Sequence, residues 1–184
     1  FMSYNLAPLK GKIGEIEDWL SKEFSGVRTG KATPILLDNV MVDNYGAKTP
    51  IKFIASISVE DAKSLRVTPW DKAHIKVIET AIAQANLGLS TAPDQVGVRV
   101  IFPDLTEDRR RALLKIVGEK LEEARVSLRK DRERFWNDIQ DKEQAGEISE
   151  DEKFRLKDEL QKMIDGGNAS FDELIEKKKK EILG

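Results

Sequence analysis

The stretch that decides the fold is "LTEDRRRALLKIVGEKLEEARVSLRKDRERFWNDI", from Leu105 to Ile139. Its apolar residues recur in alternating steps of three and four, the period of a helix that buries one stripe. The stripe consists of Leu114, Val117, Leu121, Ala124, Leu128, Phe135 and Ile139. Thr106, followed by Glu107 and Asp108, is a favourable helix start because acidic side chains there oppose the helix dipole. The sequence predicts one helix of about thirty-five residues, roughly 50 Å long.

Two other segments carry a similar apolar stripe and are expected to pack against this helix. The N-terminal stripe comprises Ile13, Ile16, Leu20, Phe24 and Val27, and the C-terminal one Leu156, Leu160, Met163 and Leu174. "SEDE" at Ser149–Glu152 is a capping box that starts the last helix. Three stripes predict a three-helix bundle. Glycine costs about 1 kcal/mol relative to alanine inside a helix, so the pair Gly166–Gly167 leaves open whether helix three is broken there.

Between the first and second long helices the pattern changes to short strands. "LLDNVMVDNY", "TPIKFIASISV", "SLRVTPW" and "VGVRVIFP" are rich in β-branched and aromatic residues, and one helix lies within "DKAHIKVIETAIAQANLG". The predicted fold class is therefore α+β: a long three-helix bundle with an inserted small β/α/β domain, a barrel-like sandwich. The predicted domains are residues 2–30 plus 105–184 for the bundle and 31–104 for the insertion.

The chain must cross twice between these domains, near Arg28–Pro34 and near Pro103–Leu105. Gly30 and Pro34 at the first crossing and Pro103 at the second are compatible with a hinge, and equally with two ordinary loops. The residues alone leave both interpretations open.

The composition excludes several classes of chemistry. The chain of 184 residues has no cysteine and a single histidine, His74, so disulfides, thiolate catalysis and cysteine metal sites are absent. "GVRTGKAT" at 26–33 lacks the glycine spacing and the Ser or Thr after lysine that a nucleotide-binding P-loop requires. No segment has the roughly 18 consecutive apolar residues of a membrane span. We expect a protein that is not an enzyme, holds no cofactor or metal and does not enter a membrane.

Positive charge is concentrated in one part of a slightly acidic chain. The formal net charge is −2, yet residues 105–134 carry ten basic and seven acidic side chains. Arg125, Arg129 and Arg132 are spaced i, i+4 and i+7, so they form one row beside the apolar stripe. Arginine suits phosphate because it donates two parallel hydrogen bonds. Nearby acids also allow ordinary ion pairs within the helix, so the row predicts either an RNA contact or a solvated face.

Several long stretches resemble a known family. They are "VRTGKATPILLDNV", "PIKFIASISVEDAKSLRVTPWD", "AIAQANLGLSTAPDQVGVRVIFPDLTEDRRRALLKIV", "EARVSLRKDR" and "GEISEDE". Together they resemble bacterial ribosome recycling factors, in order, from about Trp19 to Met163. The resemblance implies a monomeric, cytoplasmic translation factor whose outline is similar to a transfer RNA. It would bind the large ribosomal subunit after termination and, with elongation factor G, split the complex, while GTP is hydrolysed by that factor.

The resemblance also assigns roles to individual residues. It places ribosomal RNA contacts on Arg129 and Arg132, with Arg110 in the same RNA-facing stretch, and the row geometry adds Arg125. It places the hinge on Arg28, Thr29, Gly30, Pro103, Asp104 and Leu105. The chain departs from the family at Glu133, where many relatives have another arginine. The alternative from a different class is a helical RNA- or protein-binding adaptor without splitting activity.

Overall fold

The computed structural model describes residues 3–184, so Met2, where the predicted bundle domain begins, lies outside the described residues. In chain order the elements are α1 (Ala7–Ser25), β1 (Met41–Asn44), β2 (Ala47–Pro50), β3 (Ala55–Asp61), β4 (Ser64–Pro69), α2 (His74–Gln84), β5 (Ser90–Pro93), β6 (Val98–Ile101), α3 (Glu107–Gln144) and α4 (Glu150–Leu183). Two short 3-10 helices, Pro34–Leu37 and Ile51–Phe53, precede β1 and β3. The fold class is α+β, as predicted.

By its contacts the chain divides into two compact units. The first contains the described residues up to Phe24 and Leu114–Lys180, and the second contains Ser25–Leu113 and Glu181–Gly184. The domain limits given above stay a prediction.

The first unit is a bundle built from α1, α3 and α4. The predicted stripes of α1 and α3 supply most of their buried residues: Ile13, Leu20 and Phe24, then Val117, Leu121, Ala124, Leu128 and Ile139. Four details differ from the prediction. Val27 lies beyond the end of α1, and Leu113 is more fully buried than Leu114. Ile16 and Phe135 are only partly buried.

The stripe of α4 was predicted only in part. Leu156 and Leu160 are buried as expected, but Met163 and Leu174 are only partly buried. The stripe continues instead through Ile164, Gly167, Phe171, Ile175 and Ile182. The physical reason is that α4 continues as one helix through the glycine pair. Its buried face therefore keeps the helical spacing of three to four residues, whereas the prediction left a gap between Met163 and Leu174.

Gly167 lies inside α4 at a position where a side chain would crowd its neighbours. A Cβ at this position would lie 3.3 Å from Cγ2 of Ile13 and 3.3 Å from Cδ2 of Leu128. Gly167 is therefore the point at which α4 approaches both other helices closely. Gly166 faces open space, with nothing within 4 Å of its ideal Cβ.

The ends of α3 and α4 follow the predicted capping signals. The backbone N–H of Arg109 donates to Thr106 Oγ1 over 3.2 Å, and that of Glu152 donates to Ser149 Oγ over 3.1 Å. Between the helices, Gly146 has a φ of +76°, which a residue with a side chain rarely adopts. Thr106 therefore caps the start of α3, and Ser149 caps the start of α4 after the short turn at Gly146.

The second unit contains two antiparallel sheets and α2. One sheet pairs β1 with β2, and the other has the strand order β3-β4-β6-β5 with every pair antiparallel. The strand β5 was missed from the sequence because "STAP" lacks the β-branched and aromatic pattern of its neighbours. The apolar core includes Leu37, Val42, Ile51, Leu65, Val67, Ile78, Ile82, Val98, Val100 and Phe102.

The β5–β6 turn depends on one glycine. A Cβ on Gly97 would lie 2.2 Å from the carbonyl oxygen of Val67, so only glycine fits without moving the backbone. Asp94 closes the same turn, because its carboxylate accepts the backbone N–H groups of Val96 and Gly97 and the guanidinium of Arg66. These bonds lower the pKa of Asp94 to about 2.

The two adjacent glycines of α4 should respond oppositely to alanine. Gly166→Ala should stabilise the chain by about 1 kcal/mol, because alanine is the better helix former and meets nothing. Gly167→Ala should destabilise it by about 1 kcal/mol, because overpacking a filled core costs about 1–3 kcal/mol and outweighs the helix propensity gained. Urea unfolding of both variants measures the difference, and equal stabilisation by both would show that the close approach at Gly167 has no energetic weight.

Candidate nucleic-acid interface

The predicted arginine row lies on α3 at a groove of the first unit. Arg125, Arg129 and Arg132 line an open groove of about 360 Å³, whose opposite side is formed by α4. The other lining residues are Leu128, Gln161, Ile164 and Asn168. A rigid helix pair that presents three guanidinium groups along one groove can hold successive phosphates of a polyanion.

The three arginines differ in whether they already form an ion pair with an acidic side chain. Arg125 forms an ion pair of 2.7 Å with Asp172 of α4, and Arg129 one of 2.9 Å with Glu122 on its own helix. Within the described residues, Arg132 forms no ion pair or hydrogen bond, and it is exposed. Arg132 is thus the member of the row whose guanidinium is available without breaking a contact.

The ion pairs that the sequence allows within the helix are partly formed, and the RNA contact stays a prediction. Arg129 pairs with Glu122, whereas Asp131 pairs with Arg134 instead of with a member of the row. Asp131 is buried on the stripe of α3, where its carboxylate accepts from the Arg134 guanidinium.

Arg110 does not line the groove. It lies in the first turn of α3, which belongs to the second unit, and its nearest acid is Glu107 at 4.0 Å. Its Nε is buried without a hydrogen-bond partner. The structure thus groups three of the four predicted RNA-binding residues and leaves the fourth apart.

The groove includes two amide side chains that the sequence analysis missed. Gln161 and Asn168 of α4 flank the buried Ile164, at the helical positions i−3 and i+4 from it. Gln161 donates to Asp165 over 2.8 Å, whereas Asn168 makes no side-chain hydrogen bond within the described chain. Their spacing from Ile164 places both amides beside the buried stripe of α4, but the prediction had not assigned Ile164 to that stripe.

The two segments predicted to form a hinge are tied together by one side chain. Arg28 Nη2 donates to the carbonyl oxygen of Pro103 over 2.5 Å. Burial, and to a lesser extent the positive charge of Arg109, lowers the pKa of Arg28. The ideal Cβ of Gly88 lies 3.7 Å from Arg28 Nη1, so the guanidinium also lies against the turn after α2.

The remaining residues of these segments are held in different ways. Thr29 and Leu105 are buried, and Asp104 pairs with Lys63. Gly30 has nothing within 4 Å of its ideal Cβ, so it carries no packing constraint. Backbone bonds from Ala32 to Ala62 and from Phe102 to Lys63, both 2.8 Å, fix both segments to the β3–β4 hairpin. The hinge itself stays a prediction.

No described helix is long and apolar enough to cross a membrane. No group of described His, Asp or Glu side chains is arranged to hold a metal ion. His74 instead packs on Tyr45 and contacts Asn44 through Nε2 over 3.0 Å.

Comparison with known proteins supplies the last observation. The sequence model of the family described as "Ribosome recycling factor" matches residues 20–183. The ribosome-recycling factor of Zymomonas mobilis is 42% identical over 182 residues, covering 99% of this chain and 98% of that protein. That of Lachnoclostridium phytofermentans is 40% identical over 182 residues, covering 99% of both.

Two solved structures are also similar. One is a solution structure of the ribosome recycling factor, with a TM-score of 0.74 and 33% identity over 99% of both chains. The other comes from models of the Thermus thermophilus ribosome recycling factor and the Escherichia coli elongation factor G bound to the Escherichia coli post-termination complex. It has a TM-score of 0.64 and 35% identity, covering 97% of this chain and 96% of that one.

Removal of the Arg28 side chain should loosen the two tied segments locally. Arg28→Ala removes one hydrogen bond of about 1 kcal/mol, so amide exchange at Ala32 and Phe102 should become about fivefold faster. Hydrogen exchange followed by mass spectrometry or NMR measures this change. Lys31→Ala is the matched control, because Lys31 is exposed and its side chain makes no contact of this kind. Equal exchange in both variants would contradict the tie.

Proposed function

The chain belongs to the ribosome recycling factor family, and from that premise we propose that it recycles ribosomes in the cytoplasm. It would bind the large ribosomal subunit after termination. With elongation factor G and GTP it would then separate the subunits for a new round of translation. The observation that carries the proposal is the collinear match over nearly the whole chain, which includes both units and both connecting segments.

The proposed partners follow from the second solved structure. Its description places a ribosome recycling factor and elongation factor G together on a post-termination complex. This chain is 35% identical to that factor over almost its whole length. We propose the same two partners here, with the chain acting as a monomer.

In the proposed mechanism the chain is not an enzyme and holds no cofactor. GTP is hydrolysed by elongation factor G, and this chain would transmit the resulting movement to the ribosome. A bundle of three long helices suits that role, because helices packed along a continuous apolar stripe resist bending. The segments around Arg28–Gly30 and Pro103–Leu105 would permit the second unit to move.

The proposed RNA contact uses the groove on the first unit. Arg132 can bind a phosphate directly, since it has no acidic partner to leave. Arg129 must exchange Glu122 for phosphate, but the two side chains are more than half exposed and such surface pairs contribute only about 0–1 kcal/mol. Gln161 and Asn168 would add hydrogen bonds to sugar or base. Arg110 would contact RNA separately from this groove.

The function is tested by measuring subunit separation. Purified protein, elongation factor G and GTP are added to post-termination complexes, and light scattering follows their dissociation. The proposal expects faster dissociation that requires all three components. Binding to the ribosome without any acceleration would favour an adaptor and overturn the recycling function.

The RNA contact is tested with a matched pair of arginine variants. Arg132→Ala should weaken large-subunit binding and lower the slope of log affinity against log salt by about one, because one phosphate contact is lost. Arg155→Ala should leave binding unchanged, because Arg155 of α4 pairs with two acids, Glu152 and Glu159. Thermal unfolding should change little in either variant. A large loss of stability with normal binding for Arg132→Ala would assign the residue to the fold instead.

A further inference from the structure

Three aromatic side chains are exposed on neighbouring segments of the second unit. Tyr45 is 79% exposed, Trp70 71% and Phe53 67%. Hydrogen bonds bring their segments together. Tyr45 Oη donates to the Asp71 carboxylate over 2.5 Å, and the backbone N–H of Trp70 donates to the carbonyl oxygen of Ile54 over 3.2 Å. Large aromatic side chains are usually at least half-buried, so three exposed neighbours indicate a surface that binds something.

The backbone of Tyr45 gives a second, independent observation. Tyr45 and Gly46 form the two-residue turn between β1 and β2, with φ values of +51° and +90°. Asparagine, aspartate or glycine normally occupies the first of these positions, and a bulky residue there is strained by about 1–3 kcal/mol. The ring is held by the Asp71 bond and by His74, whose ring centroid is 5.4 Å away, yet most of it remains in solvent. Backbone strain of this kind is concentrated at functional sites, so the position of Tyr45 is consistent with a role for its ring.

The charges around the aromatic residues favour an anionic occupant. Lys48, Lys52 and Lys72 belong to the same segments and are exposed, and none of them pairs with a described acid. Lys52 Nζ lies 5.7 Å from the centre of the Phe53 ring. The acids of these segments remain charged, but neither pairs with a lysine: Asp43 accepts the N–H of Gly46, and Asp71 accepts from Tyr45 and from the N–H of Ala73.

Free lysines among exposed aromatic rings are the combination that binds single-stranded nucleic acid. Bases stack on the rings without regard to sequence, and the ammonium groups neutralise the phosphates between them. We propose that Tyr45, Phe53 and Trp70 form a stacking platform for single-stranded RNA, a surface separate from the arginine groove of the first unit. A protein partner would have to present acidic side chains to account for the three unpaired lysines as well as the rings.

The platform is tested by the fluorescence of Trp70 in the full chain. Trp19→Phe and Trp136→Phe make Trp70 the only tryptophan, and Arg129→Ala with Arg132→Ala weakens the proposed RNA contact of the first unit. A uridine 12-mer is titrated into this parent protein. The platform predicts saturable quenching of Trp70 that weakens as salt is raised, and equal quenching by an adenosine 12-mer. A fully paired RNA hairpin should quench poorly, since its bases cannot leave the stack.

Two variants and one control then assign the contact. Tyr45→Asn suits the positive φ and removes the ring, and Phe53→Ala removes a second ring; each should weaken binding about tenfold. Thermal unfolding verifies that both variants remain folded. Phe154→Ala, which removes an exposed aromatic residue of α4, should leave the affinity unchanged.

Three results would overturn the platform. One is the absence of Trp70 quenching by either oligonucleotide, and another is quenching that Tyr45→Asn and Phe53→Ala leave intact. The third is quenching by RNA-free ribosomal protein but not by RNA, which would assign the surface to a protein partner. Neither result bears on the recycling function, because subunit splitting is measured with unmodified protein.

Discussion

The first unit depends on the burial of one apolar stripe along α3. This helix has 38 residues, and such a helix is stable only if other helices cover its stripe. The chain supplies α1 from one side of an insertion of about eighty residues and α4 from the other. The bundle therefore cannot form until segments that are far apart in sequence meet. Gly167 marks how closely they meet, because α4 touches both partners at a position where a methyl group would crowd them.

The same constraint determines where the arginines can lie. A stripe occupies one side of α3, so the charged residues that follow the helical repeat are confined to the flanks and the outer face. Arg125, Arg129 and Arg132 fall on one flank and thereby on the edge of the groove with α4. The position of the candidate site is thus a consequence of packing. A loop would not hold three guanidinium groups in a fixed row, whereas a helix clamped along its length does.

Much of this architecture could be predicted from the sequence because its signals are local. The caps at Thr106 and Ser149 and the arginine row depend on residues within a few positions of each other, and the structure has all three. The face of α4 beyond Leu160 could not be predicted, because whether a helix continues through two glycines depends on what packs against them. Gln161 and Asn168 were missed for the same reason. The tie from Arg28 to Pro103 spans 75 positions and has no local signal.

A chain with a net negative charge can still bind RNA, because basic side chains without an acidic partner remain available to pair with phosphate. Salt screens charges beyond about 8–10 Å, so the net charge of −2 matters less than the acids within one or two side-chain lengths of an arginine. Asp172 and Glu122 neutralise Arg125 and Arg129 in this way, and no described acid does so for Arg132. Lys48, Lys52 and Lys72 likewise form no ion pair with a described acid. A surface for a polyanion is therefore recognised less by how many basic residues it holds than by which of them lack an acidic partner.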